Sequence, residues 1–122
     1  MQLDMDLMRE ILKDLSESTE PLDINVFTSN TRSKQVVGYH FIMLRDAGLI
    51  KATVLEADND PYYFARANEM TLAGHEYYNA IASNTVWAKV KKVIGKTIGT
   101  ATLDTVKQVA IKIGTDMVLS NL

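Results

Sequence analysis

The sequence predicts a mainly helical α+β chain carrying one small β-hairpin, on three observations. Apolar residues recur at helical spacing in five separate stretches. Two runs rich in β-formers, LIKATVLE and YYFARAN, flank the turn-like ADNDP. The charge also changes sign along the chain. Residues 1–84 carry seven Lys/Arg against thirteen Asp/Glu, a net of −6, and residues 85–122 carry six Lys against two Asp, a net of +4. This break places a folded head over 1–84 and a C-terminal helical extension over 85–122, with Asn84 as the cap between them.

A chain of 122 residues supports one hydrophobic core. With 47% hydrophobic and 23% charged residues it matches ordinary globular composition and excludes a disordered class. Without cysteine there is no disulfide framework, thiolate metal site or cysteine nucleophile. The acidic start, Met1 to Asp4, lacks the basic and apolar regions of a secretory signal. No stretch reaches the roughly 18 apolar residues of a membrane span. A cytoplasmic location with no membrane contact is therefore the expectation.

In chain order, Asp4 and Asp6 suit a helix N-terminus, and Met5, Met8, Ile11, Leu12 and Leu15 follow at helical spacing. After turn-like residues 16–21, LDINVF alternates Leu22, Ile24 and Val26 with Asp23 and Asn25, as a short half-buried strand does. TSNTRS supplies caps. A second helix over 33–47 aligns Val37, Phe41 and Leu44, and Gly48 suits the left-handed residue that ends it. The hairpin comes next. Thr71 caps a helix whose inner face holds Gly74, Tyr78 and Ile81, the glycine permitting close packing. Val86, Trp87, Val90 and Ile94 form the apolar side of a fourth helix, and GKTIGT predicts a hinge, since interior glycines weaken a helix by ~1 kcal/mol each. Last, Leu103, Val106, Ala110, Ile113 and Met117 make a two-heptad seam read as an oligomer interface, because an isolated helix of that length is marginal in water.

Helix, strand, long helix ending in AGLI, hairpin and T-x-x-G is the element order of a winged-helix domain, in which the AGLI helix is presented to the DNA major groove. Residues 32–51 hold Arg32, Lys34, Arg45 and Lys51 against Asp46 alone, a local +3. Arg32, Lys34, Gln35, Tyr39, Arg45 and Lys51 are the candidate nucleic-acid contacts, and Gly38 and Ile42 share the face expected to be exposed. Against DNA stand the missing space for a middle helix, since only TSNTRS separates Phe27 from Lys34, and a wing bearing Glu56, Asp58 and Asp60.

Other motifs carry less. His40, beside Phe41, reads as a packing or hydrogen-bonding residue rather than a catalyst. His75-Glu76 lacks a second histidine four residues on, where Asn79 stands, so no metal is assigned. No phosphate loop, serine elbow or carboxylate pair with a partner histidine is present, and no catalytic residue or cofactor is assigned. Tyr62, Tyr63 and Phe64 could stack on bases, but strand alternation makes core packing the commoner use. The tail lysines 89, 91, 92, 96, 107 and 112 suit an acidic head of a neighbouring subunit.

DMDLMREIL at 4–12, VVGYHFIMLRDAGLI at 36–50, TLAGHEYYNAI at 71–81, NTVWAKVKKVIG at 84–95 and TLDTVKQVAIKI at 102–113 together resemble a family of small uncharacterised phage and prophage proteins, a domain of unknown function. The resemblance implies a winged-helix-like head and a phage setting, and supplies no activity. Two expectations follow: a non-enzymatic DNA-binding regulator, or a protein-binding adaptor or inhibitor of a host factor, such as an anti-defence protein, using the same scaffold.

Overall fold

The computed structural model describes residues 3–95 and 102–122. It is an α+β fold, mainly α, and by packing it divides into two units, Met1–His75 and Glu76–Leu122. The GKTIGT hinge falls, apart from Gly95, outside the described residues.

In the first unit, α1 (Met5–Glu17) is capped by Asp4, whose carboxylate accepts the Leu7 N–H at 3.0 Å. Its buried face is Leu7, Met8, Ile11, Leu12 and Leu15. The strand read over LDINVF is shorter than its alternation implies. Only β1 (Leu22–Asp23) pairs, and Ile24–Val26 turns into a single 3-10 coil. Asp23 is the cause, because its side chain accepts the Asn25 N–H at 2.9 Å and competes with the ladder. Val26 is consequently 55% exposed.

Helix α2 (Lys34–Asp46) is capped by Ser33, and its C-terminus closes at Gly48. The Leu49 N–H bonds to the Leu44 carbonyl and the Gly48 N–H to the Arg45 carbonyl, at 3.0 and 2.9 Å. That double bond requires a left-handed residue, and Gly48 supplies φ +78°. β2 (Ile50–Ala57) and β3 (Asp60–Met70) follow, and the sheet order is β1-β3-β2, antiparallel throughout. The two-residue connection Asp58-Asn59 places Asn59 at φ 63°, a conformation asparagine tolerates better than most residues. Asn68 is the extra residue of a bulge between the pairs Lys51↔Glu69 and Ala52↔Ala67. Val37, Phe41 and Leu44 pack with Phe27, Ile50, Ala65 and Ala67 in the core, and Phe27 meets Phe41 edge to face at 5.8 Å.

T-x-x-G holds this arrangement. Thr71 Oγ1 accepts the Gly74 N–H at 3.0 Å to open α3 (Leu72–Ile81), and donates to the Gly48 carbonyl at 2.6 Å. The Thr71 N–H donates to the Leu49 carbonyl. A Cβ at position 74 would lie 2.0 Å from that same oxygen, so only glycine lets the helix approach the turn.

His40 is fully buried and joins two helices. Its Nε2 accepts the Asp4 N–H at 2.8 Å and Nδ1 lies 2.8 Å from the Val36 carbonyl. That pattern fixes the neutral tautomer with the proton on Nδ1. Burial drives its pKa below the ordinary 6.5, Arg32 pushes the same way, and the Val36 carbonyl and Asp4 oppose them.

The second unit comprises residues 76–81 of α3 with α4 (Asn84–Gly95) and α5 (Leu103–Ser120). Here two readings of the sequence are corrected. Ser83, not Asn84, caps α4, its hydroxyl accepting the Val86 N–H at 3.2 Å. Tyr77 rather than Tyr78 is the inward tyrosine, 2% exposed, with its hydroxyl donating to the Leu103 carbonyl. Burial, and next the Asp104 charge, raise its pKa. Val86, Trp87, Val90 and Ile94 are buried as their spacing predicts, and α4 packs against α5 through a core that includes Val106 and Ala110.

Two outcomes test these assignments. Gly74→Ala should destabilise the protein by about 3 kcal/mol, the upper range of overpacking, against a helix-propensity gain of ~1 kcal/mol; urea unfolding measures the balance, and an unchanged midpoint would remove the close approach. Because the folded His40 pKa is depressed, the unfolded chain binds the proton more readily. Stability is therefore full above pH 6.5 and declines as pH falls below it, by at most ~1.4 kcal/mol per pH unit. Thermal melts from pH 7.5 to 5.5 should show this decline in the parent and in His75→Gln, and a flatter profile in His40→Gln.

Candidate surface around helix α2 and the hairpin

The six residues read as nucleic-acid contacts fall on or beside α2, but each of their cations already has a carboxylate. Arg32 is bonded to Glu10 of α1. Lys34 Nζ lies 2.9 Å from Asp60 Oδ2 at the start of β3. Arg45 meets Asp46 at 3.3 Å, and Lys51 meets Glu69 across the β2-β3 ladder at 3.2 Å. The local +3 counted along the sequence is thus offset by Glu10, Asp60 and Glu69, which arrive from elsewhere in the chain. None of these partners is near in sequence, so no window around α2 reveals them.

The hairpin also covers part of the face expected to be free. Gly38 is buried, because the Tyr62 ring lies where its side chain would be: a Cβ there would come within 2.4 Å of Tyr62 Cδ1. Lys34 and Gly38, one helical turn apart, therefore both receive residues of β3. Asp60 is held from both sides, accepting Lys34 and, through Oδ1, the Tyr62 N–H at 3.0 Å. The bond from Lys34, and then that from Tyr62, lower its pKa. Tyr39 and Ile42 are half-buried, with Tyr39 edge-on to His40 at 5.6 Å; of the proposed contacts Gln35 and Arg45 on α2 and Lys51 on β2 are exposed.

At the hairpin tip the balance reverses. Glu56 and Asp58 are exposed and enter no ion pair among the described residues. Leu55 and Tyr63 beside them are 54% and 69% exposed. Phe64 is half-covered, with the Arg66 guanidinium 4.9 Å from its ring centre. The three aromatic residues thus divide their roles: Tyr62 packs on α2, Phe64 holds Arg66, and Tyr63 faces solvent.

Other candidates are weaker. A cleft of about 520 Å³ lies where the end of α1 meets Pro21, Asn68 and His75. Its polar groups are turned to their own neighbours: Ser18 bonds Glu20, Asn68 bonds Thr53 and Glu69 bonds Lys51. Among the described residues no three His, Asp or Glu side chains converge on a possible metal position. Among the described residues no helix is long and apolar enough to cross a membrane. In the C-terminal seam, Val106 and Ala110 are buried within their own unit, and Leu103, Ile113 and Met117 are half-buried.

No solved structure matches the chain. An uncharacterised protein of Haemophilus influenzae (strain ATCC 51907 / DSM 11121 / KW20 / Rd) is 35% identical over 116 residues, covering 90% of this chain and 92% of that protein. The family model described as "Hypothetical protein (DUF2513)" matches residues 2–101, and the chain belongs to that family.

Proposed function

We propose that this is a non-enzymatic protein-binding module of phage or prophage origin, acting on a host or phage protein through its hairpin rather than reading DNA. One observation carries the reading. Arg32, Lys34, Arg45 and Lys51 around α2 are each paired with a carboxylate of the same chain, whereas Glu56 and Asp58 at the hairpin tip enter no ion pair among the described residues and lie near exposed Leu55 and Tyr63. Phosphate binding gains from released counterions, and a cation already held by a carboxylate gives up that pair to make the contact. Leu55 pairs with Phe64, so Tyr63 lies on the opposite face of the hairpin, and an exposed tyrosine near free carboxylates suits a protein partner that offers an apolar contact and basic side chains.

The scaffold reading is that of a winged helix. It is supported by the sheet order β1-β3-β2, the hairpin against α2, and a single 3-10 coil where a middle helix commonly stands. The phage setting rests on the sequence motifs alone. The non-enzymatic reading is supported by His40, whose two ring nitrogens both serve bonds within the core. A DNA-binding regulator is the second reading, favoured by exposed Gln35 and Arg45 on α2.

Affinity capture from host lysate, followed by titration of the recovered protein, decides between them. Tyr63→Ala, and Glu56→Lys combined with Asp58→Lys, should each weaken the complex by about tenfold or more, as hot-spot truncation does, while Gln35→Ala leaves it unchanged. In parallel, an electrophoretic shift assay at low salt should show no retarded DNA. A retarded band that fades with salt and is lost in Lys34→Glu with Arg45→Glu would establish the second reading instead.

A further inference from the structure

The three-stranded sheet ends on an open edge at β2. Its order is β1-β3-β2, so β2 pairs with β3 on one side and, among the described residues, takes no strand on the other. The strand is eight residues long, and Lys51, Thr53, Leu55, Glu56 and Ala57 are exposed. Inserted residues, proline and charge are the usual protections of such an edge. Here the first two fall on the other strand. Both irregularities of the ladder place their extra residues on β3, at Asn68 and within 61–63, and the hairpin proline is Pro61 of β3. Charge on β2 stands only toward its ends, as Lys51, which Glu69 already holds, and as Glu56; residues 52–55 between them carry none.

A row of backbone N–H and C=O groups is matched in full by one kind of occupant, another extended chain. The side chains define its chemistry. Ala52 and Val54 are half-buried opposite Ala67 and Ala65 of the core, so apolar residues set beside them would widen that core. Glu56 and, just past the strand, Asp58 enter no ion pair among the described residues, which asks for cations at that end. We propose that β2 receives an extended segment of the protein partner as a fourth strand, antiparallel to β2, with basic residues at the segment's N-terminal end near Glu56 and Asp58 and β-branched or apolar residues along 52–55. The direction follows the rest of the sheet, which is antiparallel throughout, the more stable pairing per residue. This inference rests on the reading of the hairpin as the partner's site and adds the form that the partner takes there. Tyr63 lies on β3, which β2 separates from the added strand.

The probe is a synthetic peptide of eight residues, capped at both ends, with arginine at its first and third positions and alternating valine and threonine after them. Titrated into the isotope-labelled full chain, it should shift the amide resonances of 50–58 and slow hydrogen exchange along β2. Glu56→Lys with Asp58→Lys should weaken it by about tenfold or more, with resonances elsewhere unchanged because both residues are exposed. Two further peptides carry N-methyl groups at every second residue, one in each phase, which blocks one backbone edge and leaves charge and side chains intact. One phase should lose binding and the other keep it. Equal binding of both, shifts confined to residues outside β2, or no binding of the parent peptide at near-millimolar concentration would overturn strand addition. If the peptide fails while Tyr63→Ala still weakens a captured partner, the added strand falls and the hairpin reading stands; a peptide that binds as described while no partner is captured upholds the edge and removes the hairpin reading.

Discussion

The turn at Gly48-Leu49 is the point from which the first unit is organised. Its two carbonyls accept from Thr71, one from the hydroxyl and one from the backbone, and the absent side chain of Gly74 lets α3 reach them. This arrangement fixes where α2 stops and the direction in which β2 leaves. It thereby sets where the hairpin returns. Tyr62 can settle on Gly38 and Asp60 can reach Lys34 because the turn brings β3 back over the start of α2. A backbone-to-backbone approach of this kind cannot relax as a flexible side chain would, so errors at the turn propagate into the hairpin.

His40 plays a comparable role at the other end of α2. A single neutral imidazole satisfies a carbonyl of its own helix and the free N–H at the cap of α1, so the two helices are joined by directional bonds as well as by apolar contact. Protonation would abolish the acceptor at Nε2 and leave a charge in the core. The residue most easily mistaken for a catalyst in the sequence is thus a structural bridge between helices.

Much of the fold was legible because its determinants are local. The buried faces of α1, α2 and α4 follow apolar spacing, Gly48 ends α2 as a left-handed residue, and the hairpin forms around the polar turn. Readings that depended on competition between neighbours fared less well. Asp23 diverted the predicted strand into a 3-10 coil, and Ser83 displaced Asn84 as cap. Tyr77 replaced Tyr78 on the inner face because residues three and four apart both satisfy helical periodicity, and the position of the Leu103 carbonyl decides between them. At the candidate surface the six named residues do gather near α2, yet their electrostatic character was misjudged. The count of charges along 32–51 omitted the three acids that fold onto it.

Sequence alone determined which segments become helices and strands, where α2 ends, and why positions 48 and 74 are glycine, since each depends on spacing or on a single backbone requirement. Tertiary structure alone decided the charge of the α2 surface, the burial of Gly38 under Tyr62, and which edge of the sheet remains open. Those properties arise between residues distant in the chain, and pairing or burial across such distances leaves no periodic trace in the order of amino acids.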